Sequence, residues 1–421
     1  MHAANLVALY NRDHIGHQFT STRDLPKSHG MEIWEGPFQS FDNSPSKFLA
    51  RSVSHICAPG FFFTMGISMT LFALNRTQKQ KWRWSQVFCH YLVRGLVLLI
   101  IEYLIDFPHS LPKLVDLLQG RDVYDWSSQE TIHPGQEAKL LWRSFSGVYE
   151  VMTSLGLNMI LAPLALPIFI DNPFPLLSAW LACVTCFLVT TMFIVSHQSL
   201  SEPSTDFPHY EATCGSVVEV FVRFVLFPGK LWKHWQVTIY PVFPWLGLVL
   251  LGQGFGLEIA AQGRHPKGLK AYAIGLLTLF GLIRMFGQEL NFRGWGRDEP
   301  IPGDSTLMQF FLQTKYPPDL CYAAITMAVV LLLLDLFAHP TAARVAKPLL
   351  VFGRTPLFFY VVHFWLIMLL QAVFRAAGSG KFDLPYLWLV WLGVLSCMFV
   401  ACRRFAAFKH TTPANSLWRM L

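Results

Sequence analysis

The sequence predicts an all-α membrane protein, a polytopic bundle of about nine complete spans behind a truncated first span. Three observations lead there. The 421 residues are 53% hydrophobic and only 14% charged, against about 25% charged in ordinary soluble domains. Apolar runs of about 20 residues, the length that crosses a bilayer as a helix, recur along the chain. The loops between them sort by charge, with Lys and Arg gathered in alternate loops. The net charge of +7 therefore reads as membrane orientation, and no nucleic-acid partner is expected.

Residues 3–10 are apolar but reach only about 12 Å at 1.5 Å per residue. They read as the last two turns of a span whose opening is missing, and a start-truncated gene product is expected. No cleavable signal is expected from these residues, because the apolar stretch is too short and lacks a small-residue cleavage site. A polar segment follows to Pro45, carrying His14, His17 and His29. The predicted spans are 56–74, 87–105, 147–170, 174–195, 238–260, 269–287, 320–338, 349–374 and 385–402. The run 217–227 is interrupted by Glu219 and Arg223 and leads into PGKLWKHW, so it reads as an interfacial or re-entrant piece. Of eight Cys, only Cys214 lies well inside a polar loop, which excludes a disulfide framework. Cys183 and Cys186 form a CxxC within an apolar run and read as small packing residues. No repeat divides the chain, and a single domain over 1–421 is expected.

Charge fixes the expected orientation. One set of loops holds Arg76, Lys79, Lys81 and Arg83, then Arg264, Lys267 and Lys270, then Arg344 and Lys347, then the tail with Arg403, Arg404, Lys409 and Arg419. Its one acidic residue is Asp171. The other set holds Asp106, Asp116, Asp122, Asp125, Glu130 and Glu137. The positive-inside rule makes the first set, and the C-terminus, cytoplasmic.

Polar residues then gather on the outer side. Asp13, His14, Arg51 and His55 fall there, as do Tyr240-Pro-Val-Phe-Pro-Trp245 and Thr314-Lys-Tyr-Pro-Pro318, each opening a span. Arg51 and His55 are an i, i+4 pair on one helical face, either anchored among headgroups or facing a wet cavity. Inside the bilayer, Arg94 and Glu102 sit on one side of the second run, about 80° apart. Intramembrane charges are by default paired or functional. Glu150, Glu258 and Asp335 lie near span ends, where side chains can reach the interface. His363, near the middle of the eighth run, reads equally as a packing histidine or a site residue. No metal-binding, nucleophile-elbow or phosphate-loop motif is present.

Five ordered blocks, HICAPGFFFTMG, YLVRGLVLLIIE, YPVFPWLGLVLLGQGFG, FLQTKYPPDL and GRTPLFFYVVHFWLI, resemble the bacterial relatives of heparan-alpha-glucosaminide N-acetyltransferase, multi-pass membrane acyltransferases. The resemblance covers most of the chain from about Asn11. It implies transfer of an acyl group, such as acetyl, from cytosolic acyl-CoA to an extracytoplasmic glycan or other hydroxyl or amine acceptor. It also implies residence in a bacterial inner (plasma) membrane, with acetyl-CoA as co-substrate and no tightly bound cofactor. The lysosomal member uses a histidine shortly after its first span. By that likeness Asp13 and His14 are the catalytic candidates, with His17 and His29 open as alternatives.

The residues suit such chemistry. A histidine can take the acceptor's proton near neutrality, and Asp13 can orient it. Arg51, His55, Lys315, Tyr316 and His363 are expected to contact the acceptor or developing charge, and Arg94 with Glu102 the donor. The expected partners are the lipid bilayer, acyl-CoA and the acceptor, with a homodimer as the assembly allowed. The rival reading is a transporter or flippase for a small polar or lipid-linked solute, with intramembrane Arg, Glu and His lining a path. Orientation is testable directly. Single-Cys variants in loops 75–86, 261–268 and 339–348 should resist an impermeant thiol reagent in sealed cells, while sites in 106–146 react; the reverse pattern inverts the topology.

Overall fold

The computed structural model describes residues 41, 43–125, 130–144, 148–200, 214–232, 236–263, 268–287, 290–291, 304–377, 384–413 and 418. Asp13 and His14, with the expected remnant of a first span, lie outside the described residues.

Helix α1, Pro45–His55, opens on a proline, whose missing N–H costs nothing in a first turn. After Ile56 it gives way to α2, Cys57–Leu74, which closes in a π-helical turn over Asn75–Lys79. Helix α3, Trp84–Leu118, runs well past the expected end of its span. A short hairpin pairs β1, Val123–Asp125, with β2, Glu130–Ile132. Then come α4, Glu137–Ser144, and β3, Val148–Tyr149.

The third apolar run is not one helix. It divides into α5, Val151–Leu161, a 3-10 turn, Ala162–Leu164, and α6, Leu166–Asp171. Pro163 and Pro167 lack the N–H groups that a continuous helix needs. The carbonyl of Ala162 is satisfied by Ala165 N at 3.1 Å and by Gln253 Nε2 at 2.9 Å, as hydrocarbon surroundings demand.

Helix α7, Pro175–Leu200, precedes α8, Val217–Leu226. Helix α8 is too short to span, as expected of an interfacial piece. Its start is a capping box: Ser216 Oγ accepts from Glu219 N at 3.2 Å, and Glu219 Oε2 from Gly215 N at 2.7 Å. Strands β4, Gly229–Trp232, and β5, Gln236–Thr238, follow. The remaining helices are α9, Val242–Gln262, α10, Leu269–Phe286, α11, Thr306–Phe311, and α12, Leu320–Ala338. The C-terminal part holds α13, Pro340–Val345, α14, Leu350–Arg354, α15, Pro356–Ala376, and α16, Leu384–Thr411. Thr355 separates α14 from α15, so the eighth run too is interrupted near its start.

Among the described residues, eight helices are long and apolar enough to cross a membrane. The protein is an all-α, multi-pass integral membrane protein.

The chain forms two compact units, one from the described residues within 26–99 and 148–336, the other from those within 100–147 and 337–421. In the first, α9 is the central helix, packed on α2 and α7. Glycines permit the contact. A Cβ on Gly66 would lie 2.1 Å from the Val249 carbonyl oxygen, and one on Gly252 2.1 Å from that of Phe63. Across the other face, Gly247 lies against Cys183 and Cys186, so the CxxC packs as expected. Phe62 stacks on Trp245 at 4.8 Å, and Phe63 meets Phe255 edge-on at 5.3 Å.

In the second unit, Asp116 accepts from Arg121 at 2.6 Å and from Arg375, joining the end of α3 to that of α15. Trp365 Nε1 donates to the Leu104 carbonyl at 2.9 Å. Phe358 stacks on Phe405 at 4.1 Å, and Phe352 meets Phe399 at 6.1 Å, fixing α14 and α15 against α16.

Overpacking a tight contact costs about 1–3 kcal/mol or more. Gly252→Val should therefore lower the melting temperature of detergent-purified protein. Gly275→Ala on α10, where a Cβ meets nothing within 4 Å, should leave it unchanged or slightly raised. Equal effects would show that the α2–α9 contact is not the tight one.

Candidate functional site

The site grows from two short strands and the starts of several helices in the first unit. Strands β3 and β5 run parallel, with Tyr149 opposite Thr238, and Ile239 N donates to the Tyr149 carbonyl at 3.0 Å. Each strand leads at once into a helix. Glu150 is the residue before α5, and Tyr240 with Pro241 opens α9.

Lys315 comes from a third segment. The turn Thr314-Lys-Tyr-Pro-Pro-Asp319 closes through Asp319 N to the Thr314 carbonyl at 3.3 Å. Asp319 Oδ1 then accepts from Tyr322 N at 2.7 Å and caps α12. This turn places Lys315 Nζ 5.0 Å from the ring centre of Tyr316 and 5.7 Å from that of Tyr240. The two rings meet edge-on at 5.3 Å, their hydroxyls 3.4 Å apart. Lys315 is only 1% exposed.

Aromatic contacts continue from this box to α1. Tyr240 packs on Trp245 at 5.2 Å, Trp245 on Tyr322 at 6.2 Å, and Tyr322 on the His55 ring at 5.6 Å. The Tyr322 hydroxyl also donates to the His55 carbonyl at 2.8 Å. Arg51, one turn earlier on α1, is half-buried on the same face as His55.

Glu150 answers the lysine. Burial of its carboxyl pushes its pKa from the ordinary 4.5 up to about 7, while the nearby Lys315 ammonium pulls it down. The same positive charge and the N-terminal ends of α5, α9 and α12 favour negative charge here. Around the box, Trp245 Nε1, Thr314 Oγ1 and Thr238 Oγ1 are buried with no partner among the described residues. Buried polar groups ordinarily find a partner, and these three belong to the segments that build the box.

The residues singled out from sequence fall into separate groups. Lys315 and Tyr316 share the tyrosine box, and His55 is linked to it through Tyr322, Trp245 and Tyr240, with Arg51 one turn before it. His363 belongs to the other unit and is bonded locally: its Nδ1 pairs with the Phe359 carbonyl at 2.7 Å, and its ring stacks on Phe359 at 4.7 Å. Arg94 is half-buried on α3, within electrostatic reach of His90 and Tyr91. Around it, His90 stacks on Phe72 at 4.5 Å, and the Arg76 guanidinium lies 4.9 Å from Phe72 and 4.8 Å from Trp82. Glu102, two turns further along α3, is buried. Sequence reasoning set Glu150 aside as a span-end carboxylate and missed it. The available signal was its place directly before a proline-broken apolar run.

Fold and composition define a multi-pass helical membrane protein with a buried polar site at one set of helix starts. No protein-family model, curated protein or solved structure matches the chain.

Removing a buried positive charge within electrostatic reach of a carboxyl takes away the field that favours its ionised form. Lys315→Met should lower the melting temperature, and adding Glu150→Gln should restore part of it. The pH dependence has a definite sign. A carboxyl whose pKa is raised on folding contributes stability that is full below about 4.5 and lost as pH rises through about 7. Wild type should therefore lose stability relative to Glu150→Gln across that window. A pH-independent difference would remove Glu150 from the buried pair.

Proposed function

We propose that the protein is a membrane acyltransferase that moves an acyl group, most simply acetyl, from a cytosolic acyl-CoA to a hydroxyl or amine acceptor on the far side. The supporting observation is the buried Lys315 between Tyr240 and Tyr316, next to a carboxyl held near neutrality. It lies at the opposite end of α2, α9 and α12 from the basic loops. The acceptor is taken to be a glycan on the strength of the family resemblance, and a bacterial inner membrane with a cytoplasmic C-terminus follows from the same resemblance and the loop charges.

In this reading the acceptor's oxygen or nitrogen attacks the thioester carbonyl and a base removes its proton. Two groups are proposed for that proton: His14, oriented by Asp13, from the resemblance, and Glu150 from the geometry. Lys315 and the tyrosine hydroxyls stabilise the oxyanion as the carbonyl becomes tetrahedral. Collapse breaks the carbon–sulfur bond, and the thiolate leaves and takes up a proton. Arg76, His90 and Arg94, grouped with Phe72 and Trp82 where α2 ends and α3 begins, are suited to donor phosphates and a flat ring.

A second reading, transport or flipping of a polar or lipid-linked solute, has one observation in its favour. The third run is a discontinuous helix beside buried Asn158 and Gln253, a feature of many transporter binding sites.

The assay is purified protein in vesicles, with labelled acetyl-CoA and a pool of glycans. Loss of the general base should slow transfer about 10²–10⁴-fold. If Glu150 is the base, activity should fall below about pH 7, and Glu150→Gln should remove that limb. His14→Ala with undiminished transfer would remove His14. Solute flux without transfer from any acyl donor would overturn the enzyme reading.

A further inference from the structure

The C-terminal helices carry a second polar feature that plays no part in the lysine site. Between α14 and α16 lies a groove of about 380 Å³, within the size range of small-ligand pockets, about 300–1,000 Å³. Val351 and Arg354 line it from α14, and Phe399, Arg403 and His410 from α16. Phe399, Arg403 and His410 fall within about 40° of one another around α16, so they share one face. The lining contains no acidic side chain. Neither Arg354 nor Arg403 has a carboxylate partner among the described residues.

Position decides what sort of anion suits the groove. The apolar stretch of α16 is Trp388–Thr411, and Arg403 stands about 22 Å along it at 1.5 Å per residue. Hydrocarbon is about 30 Å thick, so the guanidinium meets the membrane where acyl chains give way to headgroups, a depth that long basic side chains can reach. Leu389, Leu392 and Val400 on the same helix are exposed, as befits contact with acyl chains. A soluble anion would use the charges and ignore Val351 and Phe399. An amphiphile uses both.

We infer that the groove formed by Arg354, Arg403 and His410 over Val351 and Phe399 binds the phosphate headgroup of an anionic phospholipid. Each arginine supplies a forked pair of donors suited to phosphate oxygens, and Phe399 receives the top of an acyl chain. The inference needs only the membrane-spanning fold and is independent of acyl transfer.

The test uses the full chain in nanodiscs of phosphatidylcholine with one tenth phosphatidylglycerol, and native mass spectrometry counts the lipids retained. Wild type should retain phosphatidylglycerol well above its share. A basic residue near the surface is worth roughly fivefold in binding an anionic lipid, so Arg354→Gln with Arg403→Gln should reduce the enrichment about tenfold or more. Arg354→Lys with Arg403→Lys should keep most of it. Melting temperature checks folding, and Arg403→Glu alone, at an exposed position, provides a second disruptive variant. Equal retention of both lipids by wild type, or enrichment unchanged in the disruptive variants, would overturn the inference. So would displacement of the lipid by micromolar acetyl-CoA or inorganic phosphate, which would assign the groove to a soluble anion.

Discussion

The approach of α2 to α9 governs the geometry of the lysine site. Lipid tails are as apolar as leucine, so helices in a membrane are held by close packing and hydrogen bonds more than by escape from water. Gly66 and Gly252 let the two backbones meet where any larger side chain would collide with a carbonyl oxygen. Thr70 Oγ1 adds a bond to the Gln253 carbonyl at 3.3 Å. His55 lies just before α2, while Tyr240 and Trp245 belong to the start of α9. The spacing of those helices therefore sets the Phe62–Trp245 stack and, through Trp245 and Tyr322, the distance from His55 to the tyrosine box. A site tens of atoms wide rests on two missing methyl groups.

Once assembled, the box is electrostatically expensive. A lysine at 1% exposure has given up nearly all its hydration, and aromatic faces return only about 0.5–2 kcal/mol each. Glu150 brings a carboxyl within electrostatic reach, and burial raises its pKa above the ordinary value. A pair of hydrophobic residues of similar size would often be as stable or more so. Purely structural demands thus give a weak reason to keep Lys315 and Glu150 together. Ligand binding or chemistry gives a stronger one, because strongly perturbed titratable groups cluster at functional sites.

Eight of the spans were legible because bilayer thickness imposes a length and an apolar composition on each of them. Lys315, Tyr316 and His55 were legible as candidates because charge, proline and aromatic residues stood out at span entrances. Glu150 was not. In one dimension it is a carboxylate at the end of an apolar run, where reaching the interface is the ordinary outcome. What turns it inward is the pairing of β3 with β5, strands of two and three residues, too short to leave a periodic pattern. His363, singled out at mid-span, lies in the other unit, bonded to the carbonyl four residues back and stacked on Phe359. The break in the third run could have been read from Pro163 and Pro167, but the partner that tolerates it, Gln253, lies 91 residues from Ala162.

That partner also bears on enzyme against transporter. A discontinuous helix serves transport when its freed carbonyls and N–H groups are left for the solute. Here the Ala162 carbonyl is taken from two sides, by Ala165 and Gln253, and Asn158 Nδ2 turns to the Ser154 carbonyl at 2.8 Å and the Val242 carbonyl at 3.4 Å. The Ala162 carbonyl is thus satisfied, while Asn158 Oδ1 and Gln253 Oε1 are buried with no partner among the described residues, and Gln253 sits on α9, the helix fixed by the glycine contact. Alternating access is largely the rocking of one rigid bundle against another, so the tight α2–α9 contact, which lies inside one unit, keeps these elements together in either reading. What separates the two readings is the ligand taken by the lysine box and by the polar groups at the break.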